Sequence, residues 1–205
     1  MRSVALFMSL SVALTQAATR RVTVLVNFEK PHSDVSVKAL QHELTELLEP
    51  VGVTVDLMLK SDIPKNPEFS ELAVFEMKGS CSMDNVPARY PARYGDLPDE
   101  RGPLAMSYSS DGQILHFGEV ECDRVRQCLQ RVTGRTEPEK HQVAYGKALG
   151  IVIVHELYHM IAGAKAHTKI GLTKESLSAE ELLDSKLSLP RMVLEALRRG
   201  LTYRQ

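Results

Sequence analysis

The chain has 205 residues, of which 43% are hydrophobic and 25% are charged, and these globular fractions exclude collagen-like, disordered and membrane-bundle proteins. Its 25 Lys and Arg residues nearly balance 26 Asp and Glu residues, so the net charge is −1. Because phosphate neutralisation needs an excess of basic residues, this balance argues against nucleic acid as the main partner.

Residues 1–17 have the pattern of an export signal. Arg2 is basic, Val4–Leu14 is apolar, and residues 15–17 (TQA) form a small-x-small cleavage site. The apolar run is shorter than the roughly 20 residues that span a bilayer. We therefore predict a signal peptide at 1–17, a secreted or periplasmic location, and a monomeric mature domain at 18–205 without a membrane anchor.

Strands and helices alternate along the mature sequence. The predicted elements are, in chain order, strand 21–28, a helix between Ser33 and Pro50, strands 53–59 and 72–78, a hairpin of strands 104–109 and 113–120, a short helix 123–132, a long helix that begins at 136–139 and ends before Gly163, and an amphipathic helical tail 174–199 broken at Pro190. This order predicts a single α/β domain with helices packed against a mixed sheet.

Three cysteines remain in the mature chain: Cys81, Cys122 and Cys128. Export permits a disulfide. Because Cys81 and Cys122 both follow predicted strands, we favour that pair, with Cys122–Cys128 as the competing pair. The absence of a CxxC spacing argues against a zinc ribbon or a thioredoxin-like site.

The long helix contains an HExxH motif, His155-Glu156-Leu157-Tyr158-His159. Residues four apart on a helix lie on one face, so both imidazoles can bind a single ion. Glu156 lies beside that face, where it can act on a water bound to the ion. Because residues 146–154 are apolar, the motif lies on a core helix, where a metal would satisfy polar groups that are costly to bury alone.

A third ligand has two candidates. His167 follows the glycine turn at Gly163, which lets the chain fold back towards the ion, and Gly171 allows a second turn. Glu180 is the rival, since it begins an ExxxD pattern in which Asp184 could orient a ligating histidine. Ligand type and chain return favour His167, and zinc accepts imidazole nitrogen well.

HExxH with a third histidine downstream resembles the metzincin branch of zinc metalloproteases, and HELYH followed by HxxxG is similar to small exported bacterial metalloproteases of the archaemetzincin-like type. The resemblance implies a metzincin-like zincin domain, with a mixed twisted sheet, an antiparallel edge strand, a backing helix and a long active-site helix. The chain departs from HExxHxxGxxH because its return to His167 is two residues longer, and Met192 merely permits a Met-turn. Glu180 as third ligand resembles the gluzincin pattern instead.

These features predict an exported zinc metalloendopeptidase that acts on peptides or proteins. Zn²⁺ bound by His155, His159 and His167 would polarise water and the scissile carbonyl, and Glu156 would be general base and then acid. We expect substrate to lie along strand 104–109, bordered by the connection 79–103. The alternative is a non-catalytic exported domain that keeps metal for stability or serves as a binding module.

Overall fold

The structure, a computed structural model, describes residues 20–83, 102–130, 132–133 and 137–202. Its strands and helices are β1 (Arg20–Phe28), α1 (Asp34–Leu48), β2 (Val53–Leu59), β3 (Leu72–Lys78), β4 (Ala105–Ser110), β5 (Gln113–Glu121), α2 (Cys122–Gln130), α3 (Pro138–Ala162) and α4 (Arg191–Thr202). The predicted signal peptide and most of the connection 79–103 lie outside the described residues, so they stay predictions.

The five strands form one sheet in the order β2-β1-β3-β5-β4. All neighbours run parallel except β4 and β5, which are antiparallel and joined by the predicted turn, where Asp111 and Gly112 both have positive φ. The antiparallel hairpin therefore places β4 at one edge of the sheet. This arrangement confirms the predicted mixed sheet with an antiparallel edge strand.

Two helices pack against the sheet and against each other. The backing helix α1 contacts α3 and β2, and α3 contacts β4 and β5. The core lies between these layers and includes fully buried side chains from each of them, among them Val24, Leu40, Phe75, Tyr145 and Ile153. The edge strand β4 therefore lies directly against the helix that carries the HExxH motif.

Helix α3 has a clear start and a clear stop. Pro138 occupies the first helical turn, where its missing N–H costs nothing. Gly163 ends the helix with φ +61°, a left-handed conformation that glycine adopts without a Cβ penalty. Between them almost every residue from Ala148 to Ile161 is buried, because the helix is apolar around most of its circumference. Its boundaries match the prediction.

Cys81 and Cys122 form a disulfide with a Cα–Cα distance of 5.0 Å, which confirms the favoured pair. Cys81 follows β3 and Cys122 follows β5, and these two strands are parallel neighbours in the sheet. Cys128 is a free thiol. None of the helices among the described residues is both long and apolar enough to cross a membrane.

The tail prediction is wrong for residues 174–190. Only α4, after Pro190, is an α-helix, and the earlier segment contains a single 3₁₀ turn at Glu181–Leu183. Ser178 and Glu181 form a capping box, in which Ser178 Oγ accepts the Glu181 N–H and the Glu181 carboxylate accepts the Ser178 N–H, so a turn starts here. It stops after one turn because Asp184 has an extended backbone and its carboxylate accepts the Lys186 N–H, a local bond that competes with helix continuation. Leu172 N–H also donates to Ser188 O, which ties this segment to the loop before it.

Candidate metal centre

His155 and His159 lie one turn apart in the C-terminal half of α3. Their Nε2 atoms are 3.1 Å apart, and His159 is almost completely buried. Helical spacing alone brings these two rings together, because residues i and i+4 share one face. The buried position of the helix then leaves their side chains few alternative directions.

His167 reaches the same point from the chain that returns after α3, residues 163–174, which we call the return loop. Its Nε2 lies 3.2 Å from Nε2 of His159. The ligand atoms of the three histidines all lie within 4.8 Å of one another, so one ion can contact all of them. His167 itself is exposed, unlike the two helix histidines.

The return loop also supplies the partners of both helix histidines. His155 Nδ1 is 3.1 Å from Leu172 O, and His159 Nδ1 is 2.6 Å from Ala164 O. Since a carbonyl oxygen only accepts, each Nδ1 must carry the proton that it donates. In a neutral imidazole the lone pair then lies on Nε2. Both lone pairs therefore face the point where the three rings converge.

This donor set fits a zinc ion. Zn–N bonds of about 2.0–2.1 Å in a tetrahedral site imply about 3.3 Å between ligand nitrogens, close to the observed separations. Burial lowers the pKa of His155 to about 4, so its ring is neutral at physiological pH and its lone pair is available. Converging lone pairs repel one another, and a cation between them removes that repulsion.

Glu156 is hydrogen-bonded to the edge strand and is not a member of the histidine group. Its Oε2 accepts a hydrogen bond of 2.6 Å from Ser107 Oγ on β4, and only 6% of the residue is exposed. Burial raises the pKa of its carboxyl group, while the Ser107 bond opposes that rise. Glu156 and the three histidines all line one cavity of about 820 Å³ beside β4.

Two residues considered from the sequence lie elsewhere. Glu180 is exposed, precedes the 3₁₀ turn and does not join the histidine group. Met192, which the sequence permitted as a Met-turn, is 65% exposed and lies in the first turn of α4. The longer return to His167 is a departure from the metzincin pattern.

Sequence reasoning missed Ser107 and the two backbone carbonyls. Strand alternation provides a signal for Ser107, because it shares a face with Ala105, which is buried against the core. No sequence pattern indicates which carbonyls accept from the imidazoles. Among the tyrosines, Tyr158 O–H donates to Ala166 O on the return loop and Tyr108 O–H donates to Glu119, whereas Tyr90 and Tyr94 lie outside the described residues.

Comparison with solved structures shows a similar fold in archaemetzincin from Methanopyrus kandleri. The two chains share 14% sequence identity at a TM-score of 0.52, and the match covers 92% of this chain and 99% of that one. No protein-family model and no curated protein matches the sequence. The chain therefore has an archaemetzincin-like fold, as the resemblance implied.

Proposed function

We propose that the protein is an exported zinc-dependent metallopeptidase that hydrolyses bonds within peptide or protein substrates. The observation that carries this proposal is the convergence of three imidazole Nε2 atoms beside a buried carboxylate in a cavity along an exposed sheet edge. The archaemetzincin-like fold supports it. His155, His159 and His167 are the proposed ligands, and Glu156 is the proposed catalytic residue.

A zinc ion held by three histidines supplies a Lewis acid that polarises a carbonyl and makes water more acidic. Glu156 accepts a proton from the attacking water and then donates it to the leaving amine. Burial raises the pKa of the Glu156 carboxyl group towards neutral pH. A group whose pKa lies nearer the working pH can both accept and release a proton. The two carbonyls that hold the imidazole Nδ1–H groups keep the ligand rings oriented during these steps.

The edge strand β4 is the proposed backbone-binding surface for substrate. One side of β4 pairs with β5, and its other side borders the cavity that contains Glu156 and the three histidines. An extended peptide can add to such an edge through main-chain hydrogen bonds, which recognise peptide backbone irrespective of side chain. This geometry favours peptides over other carbonyl substrates.

Export is part of the proposal and rests on the sequence of residues 1–17. The disulfide between Cys81 and Cys122 supports it, because disulfides persist mainly in oxidising compartments. Signal removal after residue 17 would leave β1 near the mature N-terminus.

A purely structural metal site is the competing function. Structural zinc is normally closed by four protein ligands, whereas the group found among the described residues offers three histidines and opens onto a cavity. An open position beside a buried glutamate is the arrangement that hydrolysis needs. These observations favour catalysis over a structural role.

The test is the Glu156→Ala variant, with Glu139→Ala as a matched control. Glu139 lies on the same helix, in its exposed first turn. We expect one zinc per chain in all three proteins, and hydrolysis of a broad peptide library by wild type and Glu139→Ala. Hydrolysis by Glu156→Ala should fall by about a hundredfold or more, the usual contribution of a general acid–base.

Two results would contradict the proposal. One is zinc-loaded wild type that cleaves nothing and unfolds when the metal is chelated, which would favour the structural role. The other is full activity in Glu156→Ala. Zinc content measured by elemental analysis, together with mass spectrometry of the digest, separates these outcomes.

A further inference from the structure

The edge strand and the active-site helix are joined at the carboxylate of Glu156. Ser107 Oγ lies 2.6 Å from Glu156 Oε2 and 3.5 Å from the Glu156 backbone oxygen. Since both acceptors belong to the same residue, the hydroxyl of Ser107 lies over the side of the helix that Glu156 occupies. The contact therefore connects the proposed catalytic group to the proposed substrate-binding strand.

The direction of Ser107 follows from the pleat of β4. Its neighbours Met106 and Tyr108 are 41% and 37% exposed, whereas Ala105 is buried. Ser107 shares the helix-facing side with Ala105. The pairing of β4 with β5 also shifts immediately after Ser107, between Ser107 and Ser109. Such irregularities commonly redirect a side chain next to a functional site.

The bond to Ser107 restricts a flexible side chain. Glutamate has three rotatable side-chain bonds, and a charge-assisted hydrogen bond to one oxygen selects few of its rotamers. With Oε2 held by Ser107, the same carboxylate retains Oε1 for proton exchange in the cavity. The hydroxyl of Ser107 donates to Glu156, and Ser107 is not a member of the histidine group.

We propose that Ser107 is a positioning residue that holds the Glu156 carboxylate at the cavity for proton transfer without contributing to metal binding. This inference rests on the proposed peptidase function. It separates two properties of the site: the histidines determine metal affinity, and the serine on the edge strand determines how well the carboxylate is placed. Loss of the hydroxyl should then lower turnover while leaving both substrate affinity and zinc affinity unchanged.

The experiment compares Ser107→Ala with Ser107→Thr, and uses Ser61→Ala as the matched control. Threonine keeps the hydroxyl and suits a strand, and Ser61 is an exposed serine just after β2, at the opposite edge of the sheet, where its hydroxyl donates to Asp62. We expect kcat of Ser107→Ala to fall about ten- to a hundredfold, the usual effect of removing a supporting hydrogen bond at a metal site. KM and the zinc dissociation constant should change by less than about twofold, and Ser107→Thr should recover most of kcat.

A crystal structure of zinc-loaded Ser107→Ala supplies a readout that does not depend on activity. We expect the Glu156 carboxylate to leave its position beside β4, and to return to that position in Ser107→Thr. An unmoved carboxylate, an unchanged kcat, or a loss of zinc from Ser107→Ala would overturn the inference. If wild type hydrolyses no peptide, the peptidase proposal fails, and the position of the carboxylate in the two variants still decides the role of Ser107.

Discussion

The site is built from two regions that differ in how they are held, the C-terminal part of α3 and the return loop 163–174. The helix contributes two imidazoles and the carboxylate, and residues 151–161 are buried except at His155, which is partly exposed. The loop contributes one imidazole and both carbonyls that orient the helix imidazoles, yet His167 is exposed. One region is determined by packing and the other by a small number of hydrogen bonds.

Those hydrogen bonds close the return loop on itself and on its neighbours. Thr168 N–H donates to Thr173 O, their hydroxyls are 2.8 Å apart, and Leu172 N–H donates to Ser188 O. Tyr158 O–H reaches back from the helix to Ala166 O. The helix part of the site therefore depends on packing shared among many buried side chains, whereas the loop part depends on individual polar contacts and turns.

The largest effect is expected from removal of His167, the proposed ligand on the return loop. His167→Ala should empty the site, since loss of a ligand exceeds the ten- to hundredfold affinity loss that follows loss of a supporting contact. Glu180→Ala should retain one zinc per chain, because Glu180 lies outside the histidine group. Elemental analysis after dialysis measures both. Zinc loss from Glu180→Ala would reverse the assignment of the third ligand.

The two glycine turns of the return loop should differ in their tolerance of a side chain. Gly171 has φ +74°, and an added Cβ would lie 2.7 Å from Pro190 Cγ and 3.0 Å from Ser188 O. Gly163 has φ +61°, and a Cβ added there would have no atom within 4 Å. The left-handed conformation costs a non-glycine residue about 1–2 kcal/mol. Gly171→Ala adds a steric clash to that cost.

We therefore expect Gly171→Ala to destabilise the protein more than Gly163→Ala in urea unfolding. Zinc affinity should fall about tenfold in Gly171→Ala, because Leu172, whose carbonyl holds His155, follows directly. An equal decrease in the free energy of unfolding in the two variants would contradict this expectation. It would show that the left-handed backbone conformation alone, and not the space around the added Cβ, determines the loss of stability.

The smallest expected effect concerns the hydroxyl pair that closes the return loop. Thr173 is fully buried and its hydroxyl meets that of Thr168. Thr173→Val keeps the shape but removes one hydrogen bond, which should lower the free energy of unfolding by about 1 kcal/mol. Thr54→Val on β2, an exposed position, is the control and should be neutral. If Thr173→Val left the free energy of unfolding unchanged, the return loop would be stabilised by its turns rather than by this pair of hydroxyls.

The sequence was sufficient to predict those features that depend only on the helical repeat of apolar and polar residues. The apolar circumference of α3, with proline at its start and glycine at its end, predicted the helix, and the i, i+4 spacing predicted that His155 and His159 share a face. The structure agrees on both. The same reasoning failed for residues 174–190, because the turn that starts at Ser178 and Glu181 ends at Asp184, whose carboxylate binds the Lys186 N–H where the apolar spacing indicated a helix.

The third histidine shows where local reasoning ends. His167 and Glu180 were both compatible with the spacing, since a loop of unknown path can return either residue to the helix. The path depends on contacts such as that between Leu172 and Ser188, which are distant in sequence from the motif. The structure brings His167 to the other two rings, while the role of these residues as zinc ligands stays a prediction.

The amino-acid order by itself determined the secondary structure around the motif, the pair of helix imidazoles, and the chemistry that these residue types permit, because helical and strand periods act within a few residues. Only the tertiary structure decided that Ser107 meets Glu156, that Ala164 and Leu172 turn their carbonyls to the imidazoles, and that His167 completes the group. Each of these contacts joins segments whose approach depends on how the sheet, the helix and the return loop pack together.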